Sequence, residues 1–278
     1  MIQPASYSCL VSTAWLADNL HQPELVLLDC SMAKVLGKEP LLYPQLVTIP
    51  GAHKLDLEQQ LLDSSAALPN TFPTAEQVTV VMQQLGVDST SLIVLFDNQG
   101  IYSAPRAWVI LKAMGHQQVM VLDGGLPQWL AEQRATAASY AQPSGKGNFV
   151  AQLEASWLVN KQQVEAALQQ PQVGIVDARS AERFYAQKPE PRADMRSGHI
   201  PGSCNLPFGE LMQGHQLAPP ERLAEALSQL GLNHKEQLMF TCGSGITACI
   251  LLLAAHQAGL SASKQLYDGS WAEWGLIR

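Results

Sequence analysis

Short apolar runs alternate with longer amphipathic stretches along the first half of the chain, and the two patterns predict strands and helices in turn. Apolar residues in unbroken runs are typical of buried strands, whereas apolar residues three or four apart are typical of helices. Strands are predicted at Leu25–Asp29, Leu92–Asp97 and Val119–Leu122, and helices after Ser12, after Thr74 and over Ser103–Met114. Gln77 follows Thr74 at the spacing of a capping box, which favours a helix start there.

The second half shows the same alternation. Strands are predicted at Val173–Asp177, Gln237–Thr241 and Lys264–Tyr267, and helices over Lys161–Gln169, Glu221–Leu230 and Ile246–Ala258. Strands that alternate with helices form mostly parallel sheets with helices on both faces, because parallel neighbours need a crossover connection. The predicted fold class is therefore α/β.

The two halves form an internal repeat. Solenoid units run to about 20 to 50 residues, so a repeat at a spacing of about 145 residues indicates duplicated domains. Pro143, Gly145 and Gly147 interrupt the apolar pattern between the halves. We expect one domain at 1–140 and a second at 141–278. The matching segments are Ile49-Pro50-Gly51 with Ile200-Pro201-Gly202, Leu85-Gly86 with Leu230-Gly231, Asp123-Gly124 with Asp268-Gly269, and Trp129 with Trp274.

A glycine-rich turn follows the predicted strand at Gln237–Thr241 and begins with Cys242. Open α/β sheets bind ligands at the carboxyl ends of their strands. Gly243 and Gly245 tolerate backbone angles that point successive N–H groups inward, and the helix that follows adds the positive end of its dipole. Such surroundings lower the pKa of a thiol and stabilise an anionic sulfur. Cys242 is therefore a candidate nucleophile, and the alternative is a small buried apolar residue beside an ordinary turn.

Composition and charge exclude several classes of function. Apolar residues make up 47% of the 278 residues and charged residues 15%, which is typical of a compact folded protein. The net charge of −7, without a basic cluster, argues against nucleic acid or an anionic membrane as a partner. No apolar run approaches the ~20 residues of a membrane span, and the start lacks the pattern of a signal peptide, so we expect a cytoplasmic protein.

The five cysteines show neither a C-x-x-C pair nor the spacing of metal ligands. We therefore expect no disulfide framework, no metal and no cofactor. Cys249 lies on the apolar helix and is expected in the core.

The first half has no cysteine at the position that matches Cys242. Asp97 stands there, followed by the bulkier turn Asn98-Gln99-Gly100-Ile101-Tyr102. We therefore expect the second half to be the catalyst and the first a scaffold. The alternative for such a repeat is two equal binding modules.

Two arginines follow a strand that ends at the same predicted sheet edge as Cys242. Asp177-Ala178-Arg179 closes that strand, and Arg183 and Arg192 lie in the polar segment after it. A guanidinium binds a carboxylate through two parallel hydrogen bonds, so these side chains are candidates for holding an anionic substrate beside the sulfur. The alternative is that both are solvated loop residues.

These motifs together resemble the tandem-domain rhodanese-type sulfurtransferases. The resemblance covers essentially the whole chain, and it implies two tandem rhodanese-like domains of which the first is inactive. The turn is most similar to that of 3-mercaptopyruvate sulfurtransferases. The segments that carry the resemblance are Asp177–Arg179, His199–Gly202, Cys242–Ala248 and Tyr267–Trp274, with Tyr102–Arg106 and Asp123–Gly125 in the first half.

The resemblance implies that Cys242 takes sulfur from a small anionic donor, becomes a persulfide, and passes the sulfur to a thiol, cyanide or thioredoxin-like acceptor. Arg183 and Arg192 correspond to arginines that bind the carboxylate and keto oxygen of 3-mercaptopyruvate. Ser244 corresponds to a hydroxyl that assists proton transfer or stabilises the leaving group. The other turn residues are expected to bind the substrate through backbone N–H groups, namely Gly243, Gly245, Ile246 and Thr247.

The first half also departs from the family pattern. The mercaptopyruvate enzymes have an Asp and a His from the inactive domain beside the loop serine, whereas this chain offers Glu58 and Asn70, and Thr48 replaces a usual His. An amide cannot relay a proton as an imidazole does, so a serine-centred relay and the preferred donor both stay open. His199, in the His-Ile-Pro-Gly turn, is expected to be a packing residue.

Three other functions compete with this interpretation. Thiosulfate is an alternative donor for the same persulfide chemistry, and a non-catalytic sulfur carrier or regulatory module is a second alternative. A dual-specificity phosphatase is disfavoured, because the turn ends in Ala248 where such enzymes have an arginine, and a phosphate dianion would meet only N–H donors there.

Overall fold

Each half of the sequence builds a five-stranded sheet in the computed structural model, which describes residues 8–277. The first half contains β1 (Leu10–Val11), α1 (Thr13–Asn19), β2 (Leu25–Asp29), β3 (His53–Lys54), α2 (Ala75–Gln84), β4 (Leu92–Phe96), α3 (Ala104–Ala113), β5 (Val119–Leu122) and α4 (Gly125–Ala131). The second contains β6 (Leu158–Val159), α5 (Lys161–Ala167), β7 (Val173–Asp177), α6 (Ala181–Phe184), β8 (Cys204–Asn205), β9 (Met212–Gln213), β10 (Gln216–Leu217), α7 (Pro220–Gln229), β11 (Gln237–Thr241), α8 (Ala248–Gln257), β12 (Ser263–Tyr267) and α9 (Ser270–Trp274).

The two sheets have the same topology. The strand order is β1-β5-β4-β2-β3 in the first and β6-β12-β11-β7-β8 in the second, with every neighbouring pair parallel. Connections run along each sheet in both directions. Because crossovers between parallel strands are almost always right-handed, connections in opposite directions place helices on both faces. The predicted α/β fold class and the internal repeat are thereby confirmed.

Burial explains why the apolar runs predicted strands so well. All five residues of β4 and of β7 are buried, as expected for central strands covered on both faces. The strand predicted at Leu92–Asp97 ends one residue early, because the Asp97 side chain accepts hydrogen bonds from the turn after it. The helix predicted from Ile246 begins at Ala248, after Gly245 turns the chain with a φ of +79°.

Helix starts follow their capping chemistry. Thr74 caps α2 with its side chain, and the reciprocal bond from the backbone of Thr74 to the Gln77 side chain completes the predicted capping box. Ser12 caps α1 by accepting the N–H of Trp15. Both contacts satisfy N–H groups that have no partner within the helix.

The chain groups into two compact units that each include a short segment from the other half of the sequence. Of the described residues, the first unit contains 8–63, Phe72–Glu154 and Gln213–Leu217, and the second contains Ser64–Thr71, Ala155–Met212 and 218–277. Asn70 therefore belongs to the unit that contains Cys242. Among residues 8–277, no helix has the length and apolar character needed to cross a membrane.

Candidate functional site

Cys242 lies at the carboxyl end of β11, where its side chain is almost fully buried. Its backbone N–H donates to Ser270 Oγ at 3.2 Å, and its carbonyl oxygen accepts the N–H of Trp271 at 2.9 Å. The carbonyl oxygen of Gly243 accepts the N–H of Ala272 at 2.9 Å. The start of α9 thus fixes the backbone on which the cysteine is presented.

The neighbouring strand β7 ends beside β11 and brings the charged residues to the same edge. Asp177 is paired in register with Thr241, and the N–H of Ala178 donates to Thr241 O at 2.9 Å. Because the strands are parallel, residues that follow Asp177 emerge on the side of the sheet where Cys242 lies.

Four charged side chains at this edge form a row of alternating sign. Arg179 Nη2 donates to Asp177 Oδ2 at 2.7 Å, and Arg179 Nη1 donates to Glu190 Oε1 at 2.7 Å. Glu190 also accepts from Arg183, at 3.2 Å from Nε to Oε1 and through a further bond from Nη2 to Oε2. The side chains of Arg179, Asp177 and Glu190 are 0%, 1% and 4% exposed. Buried charges are stable only when paired in this way.

Arg183 lies directly against the turn that carries the cysteine. A Cβ atom added at Gly243 would lie 3.1 Å from Arg183 Nη2, closer than side chains normally approach. The absence of a side chain at Gly243 therefore makes room for the guanidinium. Arg183 Nη1 has no hydrogen-bond partner within residues 8–277, and the side chain is 16% exposed, so one edge of the guanidinium is unpaired and open.

Arg192 is placed differently. It pairs with Asp194, with Nη2 at 2.6 Å from Oδ2 and Nε at 3.2 Å from Oδ1, and both side chains are more than 40% exposed. Its Nη1 is buried and without a partner within the described part of the chain. The contacts of Arg192 do not bring it to the cysteine turn as those of Arg183 do, and its role in donor binding stays a prediction.

Ser244 is held by a residue from the first half of the sequence. Asn70 Nδ2 donates to Ser244 Oγ at 2.9 Å. Glu58 accepts the N–H of Ala33 at 2.6 Å in the first unit. Thr48 is buried, and its backbone exchanges two hydrogen bonds with Ala137.

The remaining turn residues complete the path to α8. Gly245 O accepts a hydrogen bond from Cys249 Sγ at 3.2 Å, and Cys249 itself is fully buried, where the sequence placed it in the core. Ile246 is buried, and Thr247 is the N-cap of α8 with a helical backbone. The binding of a donor by the N–H groups of these residues stays a prediction.

His199 packs in the position expected of a structural residue. Its ring stacks on Phe184 with centroids 4.0 Å apart, and Nδ1 lies 2.9 Å from Phe184 O. Within residues 8–277, no group of three His, Cys, Asp or Glu side chains has the arrangement of a metal site.

Sequence reasoning missed the groups that hold Arg183 and the cysteine backbone in place. Arg179 was visible as the end of a strand motif, but its cation–π contact with Trp271, at 4.4 Å from the ring centroid, was not. Glu190 lies in the polar segment after β7 and Ser270 in the motif Tyr267–Trp274, but the sequence assigns neither a role. The sequence signal that points to Glu190 is the run of acidic and basic residues directly after β7, at the sheet edge where Cys242 lies.

Comparison with known proteins follows the same division of the chain. The rhodanese-like domain family matches residues 12–132 and again residues 160–276. The 3-mercaptopyruvate sulfurtransferase of Rattus norvegicus is 36% identical over 99% of this chain and 94% of its own length. The thiosulfate/3-mercaptopyruvate sulfurtransferase 1, mitochondrial, of Arabidopsis thaliana is 35% identical over 95% of this chain and 75% of its own.

A solved structure agrees with the sequence relatives. The crystal structure of SseA from Escherichia coli, described as a 3-mercaptopyruvate sulfotransferase with the rhodanese fold, superposes with a TM-score of 0.83. It is 32% identical, and the match covers 95% of this chain and 99% of SseA. With a buried cysteine presented at the sheet edge and two family matches along one chain, this protein belongs to the rhodanese family and is a two-domain sulfurtransferase.

Proposed function

We propose that this enzyme moves sulfur from 3-mercaptopyruvate to an acceptor through a persulfide on Cys242. The observation that carries the proposal is the position of Arg183, whose guanidinium lies against Gly243 with one edge open. A carboxylate bound at that edge would extend the row of alternating charges by one member. It would also place the rest of the donor beside the cysteine turn.

The reaction divides into two transfers at one sulfur. In the first, the thiolate of Cys242 attacks the sulfur of the donor, an S–S bond forms, and the C–S bond breaks with its electron pair on the leaving enolate. The proton that the donor thiol carried ends on the carbon that lost the sulfur, which gives pyruvate. In the second, the acceptor attacks the outer sulfur of the persulfide and returns Cys242 to its thiolate.

Donor binding is assigned to Arg183 and Arg192, and sulfur binding to the N–H groups of the turn. The turn has no basic side chain between Cys242 and Ala248, so a compact dianion such as thiosulfate would meet only N–H groups and the helix start there. A monoanionic keto acid instead places its charge on an arginine. The neutral turn and the arginines therefore favour 3-mercaptopyruvate as the donor.

Thiosulfate is the second candidate donor. The turn after β4 shows that such a backbone can hold an anion with N–H groups alone, because Asp97 accepts four of them. A related turn around Cys242 can therefore bind an anionic sulfur without basic side chains.

The halves of the chain are assigned different tasks. Residues 141–278 would carry the persulfide chemistry, and residues 1–140 would form an inactive domain. The acceptor is proposed to be a thiol, cyanide or a thioredoxin-like protein, with no part for nucleic acid or membrane. All five cysteines are free thiols, which is usual in the reducing cytoplasm, and we place the enzyme there.

The two donors can be ranked by steady-state kinetics with a shared thiol acceptor. We expect kcat/KM for 3-mercaptopyruvate to exceed that for thiosulfate by about tenfold or more, or ~1.4 kcal/mol in transition-state binding. Substituting Ser244 with lysine should raise thiosulfate turnover relative to that of 3-mercaptopyruvate. Equal values for the wild type, or a preference for thiosulfate, would show that the charge of the turn does not select the donor.

A further inference from the structure

Ser244 is contacted by an amide whose orientation can be assigned from chemistry. Asn70 Nδ2 lies 2.9 Å from Ser244 Oγ and 3.4 Å from the main-chain oxygen of Ser244. A carbonyl oxygen can only accept a hydrogen bond, so the atom of Asn70 that faces both oxygens is the nitrogen. Ser244 Oγ is therefore the acceptor in its contact with Asn70.

This contact fixes what the serine hydroxyl can do. A hydroxyl has one proton, so an Oγ that accepts from Asn70 must direct its own O–H elsewhere. Asn70 cannot take that proton through Nδ2, which is already a donor, and an amide does not titrate in the physiological range. A path for protons from Ser244 into Asn70 does not exist.

The segment around Asn70 presents the amide in a defined position. Asn70 has a φ of +56°, a left-handed conformation that asparagine adopts more readily than most residues. Two residues earlier, the main-chain oxygen of Leu68 accepts the hydroxyl of Thr71 at 2.9 Å. The segment Ser64–Thr71 belongs to the same compact unit as the cysteine turn.

Transfer of sulfur from 3-mercaptopyruvate needs a hydrogen bond to the leaving group more than it needs a proton relay. As the C–S bond of 3-mercaptopyruvate breaks, negative charge develops on the keto oxygen of the leaving enolate. The proton that completes pyruvate is the one that the donor thiol brought, so none has to pass through the protein. A prepositioned O–H that faces the developing charge lowers the barrier without moving a proton.

We propose that Asn70 is a positioning residue that makes Ser244 a fixed hydrogen-bond donor to the leaving enolate oxygen. This inference rests on the proposed function, since it presupposes the donor and the cysteine. Of the two roles that the resemblance left open for Ser244, it selects stabilisation of the leaving group over proton transfer.

The test is a double-mutant cycle on the first half-reaction. Persulfide formation from 3-mercaptopyruvate is followed in a single turnover for Asn70→Ala, Ser244→Ala and the double variant. We expect Ser244→Ala to slow it about a hundredfold and Asn70→Ala about tenfold. The double variant should be no slower than Ser244→Ala, because Asn70 acts only through the hydroxyl. Losses that multiply in the double variant would overturn the proposal.

Asn70→Asp separates the direction of the hydrogen bond from its mere presence. The carboxylate keeps the shape of the amide but can only accept hydrogen bonds. It would therefore draw the Ser244 O–H towards itself and away from 3-mercaptopyruvate. We expect this variant to form persulfide more slowly than Asn70→Ala. A rate equal to that of the wild type would contradict the proposal, and an unchanged thermal midpoint would show that the fold is retained.

Thiosulfate supplies a second readout that a purely structural role would not move. Its leaving group is sulfite, no enolate forms, and Asn70→Ala should transfer sulfur from it at a rate close to that of the wild type. An equal loss with both donors would overturn the proposal. Asn233→Ala, at an exposed asparagine far along the chain, is the matched control and should behave as wild type with both.

The same experiment separates this inference from the proposed function. If the wild type forms no persulfide on Cys242 with 3-mercaptopyruvate, the proposed function itself is wrong. If the wild type forms it and Asn70→Ala forms it equally fast, only the role of Asn70 is wrong.

Discussion

The turn after β4 and the turn after β11 occupy matching places in the repeat, yet the groups at their first positions differ. In the first, Asp97 Oδ2 accepts the N–H groups of Tyr102, Ser103 and Ala104 at 2.8 to 2.9 Å, and Oδ1 accepts that of Gln99 at 2.9 Å. Burial raises the pKa of the Asp97 carboxyl, and these four N–H groups oppose the rise. The chain fills this turn permanently with its own anion.

In the second turn, the matching position holds Cys242, a side chain that acquires and loses a second sulfur in the proposed reaction. The Asp97 turn gathers N–H donors around an anion, and we expect the residue at the first position of each turn to decide its use. In the proposed reaction, the carboxylate makes the first turn a structural element, whereas the thiol makes the second a site for sulfur transfer.

The surroundings of the two turns differ in the same sense. In the first unit, Gln99 exchanges two side-chain hydrogen bonds with the backbone of Leu41, and Lys38 Nζ donates to Gln99 O at 2.8 Å. Tyr43 donates its hydroxyl to Asn98 O at 3.0 Å. The segment around Lys38–Tyr43 therefore covers the Asp97 turn, while the Cys242 turn borders the open edge of Arg183.

Removing the cysteine should have the largest effect. Cys242→Ser should eliminate sulfur transfer from either donor, because an oxygen in place of the sulfur cannot form the persulfide, and the near-isosteric change should leave the fold intact. Donor turnover and the thermal unfolding midpoint measure the two effects. Cys249→Ser is the control, with turnover retained and only stability reduced. More than a trace of turnover in Cys242→Ser would refute the assignment of the nucleophile.

Removing an arginine should have the next largest effect. Arg183→Ala should lower kcat/KM for 3-mercaptopyruvate about thirtyfold or more, or ~2 kcal/mol, mainly through KM, because a charge-assisted contact with the carboxylate is lost. Arg192→Ala should act in the same direction but less, since its side chain is 41% exposed against 16% for Arg183. Wild-type kinetics in both would show that the arginines are only solvated loop residues.

Glu190 offers a gentler change at the same place. Glu190→Gln keeps the shape but removes the charge that holds Arg183 and Arg179, so we expect KM for 3-mercaptopyruvate to rise about fivefold to tenfold with a smaller change in kcat. The thermal midpoint should also fall. Glu182→Gln, in an exposed pair with Lys188 at 3.6 Å, is the matched control and should change neither. An unchanged KM for Glu190→Gln would contradict a positioning role.

Asp97→Asn should leave catalysis unchanged and affect only the fold. The amide NH₂ would face buried N–H donors that now bind a carboxylate, at a cost of about 1 to 3 kcal/mol in the free energy of unfolding. Differential scanning calorimetry measures this loss beside unchanged kcat and KM. A fall in activity without a fall in the midpoint would show that the first turn takes part in the reaction.

The sequence predicted the elements well because their signals are local. The apolar runs at Val173–Asp177 and Gln237–Thr241, and the capping box at Thr74, each report their structure within a few residues. The direction of the strands alone predicted that Cys242 lies at the carboxyl-end edge of the sheet. Arg183 was named from its place after a strand.

The contacts that complete the candidate site depend on chain segments far apart, and no periodic pattern reports them. Asn70 precedes Ser244 by 174 residues in the sequence, and Glu190 is recognisable only once Arg179 and Arg183 are seen on either side of it. A polar residue in a loop looks the same in sequence whether it is solvated or buried between two charges. Tertiary placement, which sequence spacing does not encode, makes the difference.

Cys242 carries the transferred sulfur in the proposed reaction, and mass spectrometry after a single turnover detects that sulfur. The enzyme is mixed with one equivalent of 3-mercaptopyruvate and no acceptor, and the peptide that contains Cys242 is then isolated without a reducing agent. We predict a gain of one sulfur atom on Cys242, one equivalent of pyruvate in solution, and loss of the added sulfur when a thiol acceptor follows. Release of pyruvate with the added sulfur on another cysteine, or on none, would contradict the assignment of Cys242 as the sulfur carrier.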